Sequence, residues 1–171
     1  MTIDMAGIAR DSIVDGPGIR TTYFVQGCPH RCRECQNPET WDFGAGTPME
    51  TEDLADIARS NPLCRGVTFS GGEPFCQAKA LTELGHILRA EGYEIAAYSG
   101  YTFEELLGGT EEQRMLLSVV DVLIDGPFLP EERSLELNFR GSRNQRVLNV
   151  PESLKAGKAV AETSPRWLGE Y

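Results

Sequence analysis

Nowhere in the chain does an apolar run approach the roughly 20 residues that a membrane-spanning helix requires, so a soluble protein is expected. Positive charge is scarce as well: 16 Lys and Arg stand against 26 Asp and Glu, a formal net charge of −10. Affinity for phosphate backbones comes from clustered Lys and Arg, so RNA and DNA are not expected partners. The opening MTIDMAGIAR lacks both a basic start and an apolar stretch, so neither export nor organelle import is expected, and the cytoplasm is the expected compartment. There is no internal repeat. The five cysteines do not pair off evenly and crowd toward the N-terminal half, which suits metal binding better than a disulfide framework in a reducing compartment.

What is present reads as a globular protein: 171 residues, 40% hydrophobic and 25% charged, fit a single domain that folds without staples. Short apolar runs at 21–26, 66–70, 94–98 and 122–124 predict strands, and the segments 51–60, 77–91, 102–107 and 111–119 predict helices. Their alternation implies parallel βαβ units with chemistry at the carboxyl ends of the strands. The stretch 151–171 is polar and rich in Ala, Gly and Ser, with Trp167 and Leu168 as its anchors, and is expected to be a mobile or loosely docked tail. The domain is accordingly placed at 1–150.

The segment Gly27-Cys28-Pro29-His30-Arg31-Cys32-Arg33-Glu34-Cys35 follows the first of these strands and gathers three thiols able to converge on one metal centre. A closed zinc site wants four ligands, whereas three cysteines fill three of the four corners of an iron–sulfur cube and leave one iron open. His30, Cys64 or Cys76 could complete a zinc tetrahedron, so a zinc-binding interaction module stays open at this point. Three unliganded buried cysteines are the blander alternative. Arg31 and Arg33 beside the thiolates would lower their pKa and balance the charge of a cluster. For Cys64 and Cys76 themselves, and for His86 within a predicted helix, packing roles are expected.

Cys-x3-Cys-x2-Cys after a first strand resembles the signature loop of the radical S-adenosylmethionine superfamily. The resemblance implies a [4Fe–4S] cluster on Cys28, Cys32 and Cys35 whose open iron chelates S-adenosylmethionine. An electron from the cluster then breaks the sulfonium C–S bond and yields a 5′-deoxyadenosyl radical. It also implies an α/β fold, an incomplete (βα) barrel of about six parallel strands. Ser70-Gly71-Gly72-Glu73-Pro74 resembles the superfamily's Gly-Gly-Glu segment, which implies that Gly71, Gly72 and Glu73 bind the amino group of the methionine, Gly72 by its backbone. On its own this segment is equally a tight turn. Glu34, where many members carry an aromatic residue, leaves adenine contacts to the backbone of Glu34, Cys35 and Gln36. Ser99, in the turn Ser99-Gly100-Tyr101, is similar to a ribose- or carboxylate-facing loop, and a plain strand-to-helix turn is the alternative.

Within the superfamily, Asp15 to Arg20, Asn37 to Trp41, Asp125 to Phe128 and Arg140 to Arg146 together resemble the activating proteins of anaerobic ribonucleoside-triphosphate reductases, over 13–150. That resemblance implies a large reductase subunit as partner, on which a glycine becomes a glycyl radical. It implies a flavodoxin or ferredoxin as electron donor. An activase of the pyruvate formate-lyase type, or a small-molecule synthase, would share the same cluster chemistry. No acid/base pair beyond the cluster ligands is required.

Overall fold

The computed structural model describes residues 1–169. Seven strands form one sheet: β1 (Thr2–Ser12), β2 (Arg20–Val25), β3 (Thr47–Glu50), β4 (Gly66–Gly71), β5 (Glu94–Tyr98), β6 (Val122–Asp125) and β7 (Arg146–Asn149), ordered β3-β1-β2-β4-β5-β6-β7. β2, β4, β5 and β6 run parallel, with Thr21 opposite Val67, Val67 opposite Ile95 and Ala97 opposite Leu123. β1 is antiparallel to both β2 and β3, and β7 is antiparallel to β6. The α/β class stands, but the expectation of about six parallel strands is corrected to four, flanked by antiparallel strands on both sides.

The period of two in the strands separates two buried faces. Tyr23, Val25, Val67, Phe69, Ile95, Ala97 and Leu123 face helices α1 (Thr51–Arg59), α2 (Ala78–Ala90) and α4 (Glu111–Val119) in the main core. The helices present Leu54, Ala55 and Ala58, then Leu81, Leu84 and Leu88, then Leu116 and Leu117, the spacing that puts apolar side chains on one stripe. α3 (Phe103–Leu107) and α4 each start with a full capping box, Thr102 with Glu105 and Thr110 with Gln113. This satisfies first-turn donors and explains why the two short helices begin where they do.

The opposite face carries Ala96, Val122 and Ile124, and the C-terminal segment packs there. α5 (Val150–Ala156) ends at the left-handed Gly157, after which the chain returns along β7: Asn149 N–H donates to Val160 O at 2.9 Å and Glu162 N–H to Val147 O at 2.9 Å. α6 (Pro165–Leu168) then inserts Trp167, 2% exposed, edge-on to Phe139 with ring centroids 5.2 Å apart. Trp167 also lies 5.5 Å from the guanidinium of Arg20, which is itself buried and bonded to Glu94 Oε1 at 2.9 Å, Thr68 Oγ1 at 3.0 Å and Val67 O at 2.9 Å. The loosely docked tail expected over 151–171 is therefore corrected for its described part: Trp167 is an anchor, Leu168 is exposed, and residues 170 and 171 lie outside the described residues.

Candidate functional site

At the carboxyl end of β2 the chain enters the cysteine loop, whose path is set by its main chain. Gly27 N–H donates to Thr40 O at 2.7 Å, Cys28 N–H to Trp41 O at 3.1 Å and Cys35 N–H to Cys32 O at 3.2 Å. Arg31 (φ 50°) and Glu34 (φ 56°) adopt the left-handed region, unusual for residues with a Cβ, and each turns the chain between successive cysteines. Cys28, Cys32 and Cys35 are half-buried and line one cavity of about 150 Å³, together with Gly71 and Gly72 at the end of β4, Ser99 and Gly100 after β5, and Gly126 after β6. Four successive parallel strands thus deliver their carboxyl ends to one space. Burial pushes the Cys28 thiol up, opposed by the backbone N–H groups of His30 and Arg31 pointing at its sulfur.

An adjoining cavity of about 460 Å³, lined among others by Gln36, Ser70, Tyr98, Phe128, Arg140 and Gln145, shares several walls with the first. A cavity of about 490 Å³ lies elsewhere, between β7 and the C-terminal segment, and no cysteine lines it. We place the chemistry at the smaller cavity because that is where the thiols are.

Glu73 is fully buried and holds this region together. Its carboxylate accepts from Ser99 Oγ at 3.0 and 2.9 Å, from Gly100 N–H at 2.8 Å and from Phe75 N–H at 3.0 Å, and it meets His30 Nε2 at 2.6 Å. These contacts join the cysteine loop to the turn after β5. His30 rests edge-on against Tyr101 at 4.4 Å, and a Cβ on Gly100 would lie 2.5 Å from its ring. Gly72 is likewise fixed by its neighbours, since an added Cβ would run into the carbonyl of Gly27 and lie 3.0 Å from that of Thr40. This glycine admits the cysteine-loop backbone, a reason that needs no ligand.

The other expected positions divide. Cys35, Gly71, Gly72 and Ser99 line the cavity of the thiols, and Gln36 lines the adjoining one. Glu34 is exposed and lies 3.5 Å from Arg133, away from both cavities. Of the basic segment, Arg146 is committed to buried Asp125 and to Glu104, which hold its guanidinium above its usual pKa, while Arg140 faces the wider cavity. Tyr98 is a wall residue that sequence reasoning missed; its signal was the alternation in β5, which puts it on the face of Ala96, away from the helices.

The donor set fits an iron–sulfur cube better than a single ion. Among the described residues, no three His, Cys, Asp or Glu side chains lie close enough to hold one metal ion. Ligands to different corners of a cube are spaced more widely than ligands to one atom. Of the additional zinc ligands considered from the sequence, His30 lines the same cavity but its Nε2 is bonded to Glu73, Cys64 is buried at the opposite end of β4 with its thiol on Gly66 O at 3.1 Å, and Cys76 is exposed beyond Glu73. Trp41 lines the same cavity, and its indole nitrogen is buried with no acceptor among the described residues.

Comparison with known proteins agrees with this geometry. The family described as 4Fe-4S single cluster domain matches residues 14–148. The anaerobic ribonucleoside-triphosphate reductase-activating protein of Vibrio cholerae is 38% identical over 141 residues, covering 78% of this chain and 89% of the relative. The protein of the same description from Escherichia coli K12 is 35% identical over 143 residues, covering 79% and 91%. The pyruvate formate-lyase-activating enzyme of Clostridium pasteurianum is 37% identical over 123 residues, covering 67% of this chain and 51% of the relative.

Proposed function

The chain belongs to the 4Fe-4S single cluster domain family and to the anaerobic ribonucleoside-triphosphate reductase-activating proteins, and on that premise we propose that it is a radical S-adenosylmethionine activase that places a glycyl radical on such a reductase. The observation that carries this reading is the meeting of the three loop cysteines with the Gly71-Gly72 turn and Ser99 around one cavity. When bound, the [4Fe–4S] cluster and S-adenosylmethionine supply the electron and the carbon radical that remove a hydrogen atom from glycine, chemistry outside the reach of side chains.

The work of this chain is to hold, orient and shield. Cys28, Cys32 and Cys35 hold three corners of the cluster. Cys35, Gly71, Gly72 and Ser99, which line that cavity, would contact the methionine part of the cofactor, and Gln36, which lines the adjoining cavity, would contact its nucleoside. Glu73 binds no ligand in this reading; it orients the Ser99 turn and the cysteine loop relative to each other. Tyr98 and Phe128 present aromatic surface to both cavities and keep water away from a reactive carbon. The open sheet serves as an incomplete barrel whose unclosed side admits the glycine-bearing segment of the reductase. A flavodoxin or ferredoxin supplies the electron, in the cytoplasm.

Anaerobic reconstitution with iron and sulfide, electron paramagnetic resonance with and without S-adenosylmethionine, and assay of 5′-deoxyadenosine test the chemistry. A glycyl signal on added reductase, absent with pyruvate formate-lyase, tests the target. Cys28→Ala, Cys32→Ala and Cys35→Ala should each abolish cleavage, whereas Cys64→Ala should spare the cluster. One tightly bound zinc and no cluster would overturn the reading.

A further inference from the structure

Three cavities adjoin one another through shared walls. The cavity of the thiols and the 460 Å³ cavity beside it have Asn37, Ser70, Tyr98, Phe128 and Gln145 in common. The larger one in turn shares Gln36, Leu137, Arg140 and Gly141 with a groove of about 400 Å³ that also carries Arg133 and Leu135. In a chain of formal net charge −10, this groove is lined by two arginines and, among the described residues, by no Asp or Glu. Arg133 lies 3.5 Å from Glu34, and Arg140 donates to the main-chain carbonyl of Gln145 at 2.7 Å. Leu135 is 97% exposed, more than any other large apolar residue among those described. It stands on a loop that is stitched to itself: Arg133 pairs with Ser142 in an antiparallel bridge, and Arg143 N–H donates to Glu132 O at 2.9 Å. The leucine is thus held outward by a bonded loop. Ile13 and Val14, in the turn between β1 and β2, are exposed as well, and Val14 lines the 460 Å³ cavity. Apolar residues scattered singly over a surface need no explanation, but their gathering at the way into one site marks a contact surface.

We propose that this groove seats the glycine-bearing segment of the reductase in extended form, with Leu135 gripping an apolar side chain next to the glycine. The inference rests on the activase reading above. A glycine offers no side chain to hold, so the energy that brings its Cα to the cofactor must come from neighbouring residues of the same segment. An extended segment asks two things of its seat: apolar contact for alternate side chains and donors for its main-chain carbonyls. Leu135 and Leu137 supply the first, and the guanidinium groups of Arg133 and Arg140 with the Gln36 amide supply the second. From the groove the way leads by Leu137 and Arg140 into the wider cavity, and from there by Tyr98 and Phe128 to the thiols. A second copy of this chain is a poor occupant, because it would block that way and bring together two chains of net charge −10.

The test measures the rate of glycyl-signal formation against the concentration of purified anaerobic ribonucleoside-triphosphate reductase, for reconstituted wild type, Leu135→Ser and Leu63→Ser. Leu135 is almost wholly exposed, so its truncation leaves the fold intact. Leu63 is an exposed leucine in the turn before β4, at the end of the strands away from the thiols, and serves as the control. The half-saturating reductase concentration should rise about tenfold in Leu135→Ser, the order expected for withdrawing one leucine from a contact, with the maximal rate unchanged. Leu135→Met should restore it, and Leu63→Ser should match wild type. The 5′-deoxyadenosine formed with dithionite in the absence of reductase should be equal in all four proteins. Equal half-saturating concentrations in wild type and Leu135→Ser, or the same rise in Leu63→Ser, would overturn the proposal. A dimer in sedimentation that Leu135→Ser dissociates would give the groove to a second copy and overturn it as well. Wild type that forms neither a cluster nor a glycyl signal would overturn the activase reading, and the groove assignment with it.

Discussion

Replacing Glu73 by alanine separates a residue that fastens the fold from one kept for a ligand. The carboxylate is fully buried and accepts from two main-chain N–H groups, those of Gly100 and Phe75, besides the Ser99 hydroxyl, and it pairs with His30. Truncation leaves these donors facing a small buried space. Breaking a buried hydrogen-bonded pair by removing one partner costs about 3–5 kcal/mol, a range consistent with about 1–3 kcal/mol for each donor left unpaired once water partly refills the gap. With a urea dependence of about 2 kcal/mol per molar, the unfolding midpoint of metal-free Glu73→Ala should fall by about 2 M against metal-free wild type. Circular dichroism across a urea series reads this directly. A side chain held in place for the amino group of a cofactor predicts the opposite, since removing a buried charge with no ligand present leaves stability unchanged or raised. A midpoint within about 0.5 M of wild type would refute the fastening role.

Trp167→Ala should lower stability by about 3–5 kcal/mol, the usual cost of deleting a large buried aromatic, and thermal unfolding should show it; a change below about 1 kcal/mol would return the C-terminal segment to a loosely docked tail. Burial pushes the Glu94 carboxyl up, but Arg20, Arg166 and the Trp167 N–H outweigh it and hold the group below its ordinary 4.5. The stability it contributes is thus complete above that value and fades as pH falls through the depressed one, so the margin of wild type over Glu94→Gln should shrink only below about pH 4.5. A margin that shrinks between pH 8 and 6 would place its origin in another group. Gly72→Ala should reduce iron loading along with cofactor cleavage, because the methyl group meets the backbone of the cysteine loop; normal iron content with weakened cofactor binding would show that the space belongs to the ligand instead.

The parallel strands and the helices between them were legible because each writes its environment into its own residues. A strand covered on both faces needs an apolar run such as Val67 to Phe69, and a helix on one face needs a stripe such as Leu81, Leu84 and Leu88. β1, β3 and β7 escaped for the converse reason. β1 is half-exposed and charged, β3 contains Pro48 at the sheet edge, and β7 begins with Arg146, which faces Asp125; what makes them strands is the ladder supplied by a neighbour. Among site residues, the cysteines and glycines declared themselves by spacing. The contacts of Glu73 were not legible, because a carboxylate beside two glycines looks alike in sequence whatever it faces, and only the fold brings Ser99 and His30 to it. The docking of Trp167 was hidden for the same reason, since Arg20 and Glu94 lie far from it in sequence.

The cysteine loop leaves and rejoins the sheet at one place. Gln26 N–H donates to Asp4 O at 2.9 Å, and Thr47 pairs with Met5, the next residue of β1. Both ends of the loop are thus stapled to neighbouring positions of a single strand, and the sheet bears the entropy of closing it whether metal is present or not. Assembly of the cluster then has only to gather three thiols on a frame that already exists. Because the closure rests on main-chain bonds to β1, reconstitution with iron and sulfide after oxidative loss of iron is expected to succeed without a denaturation and refolding step.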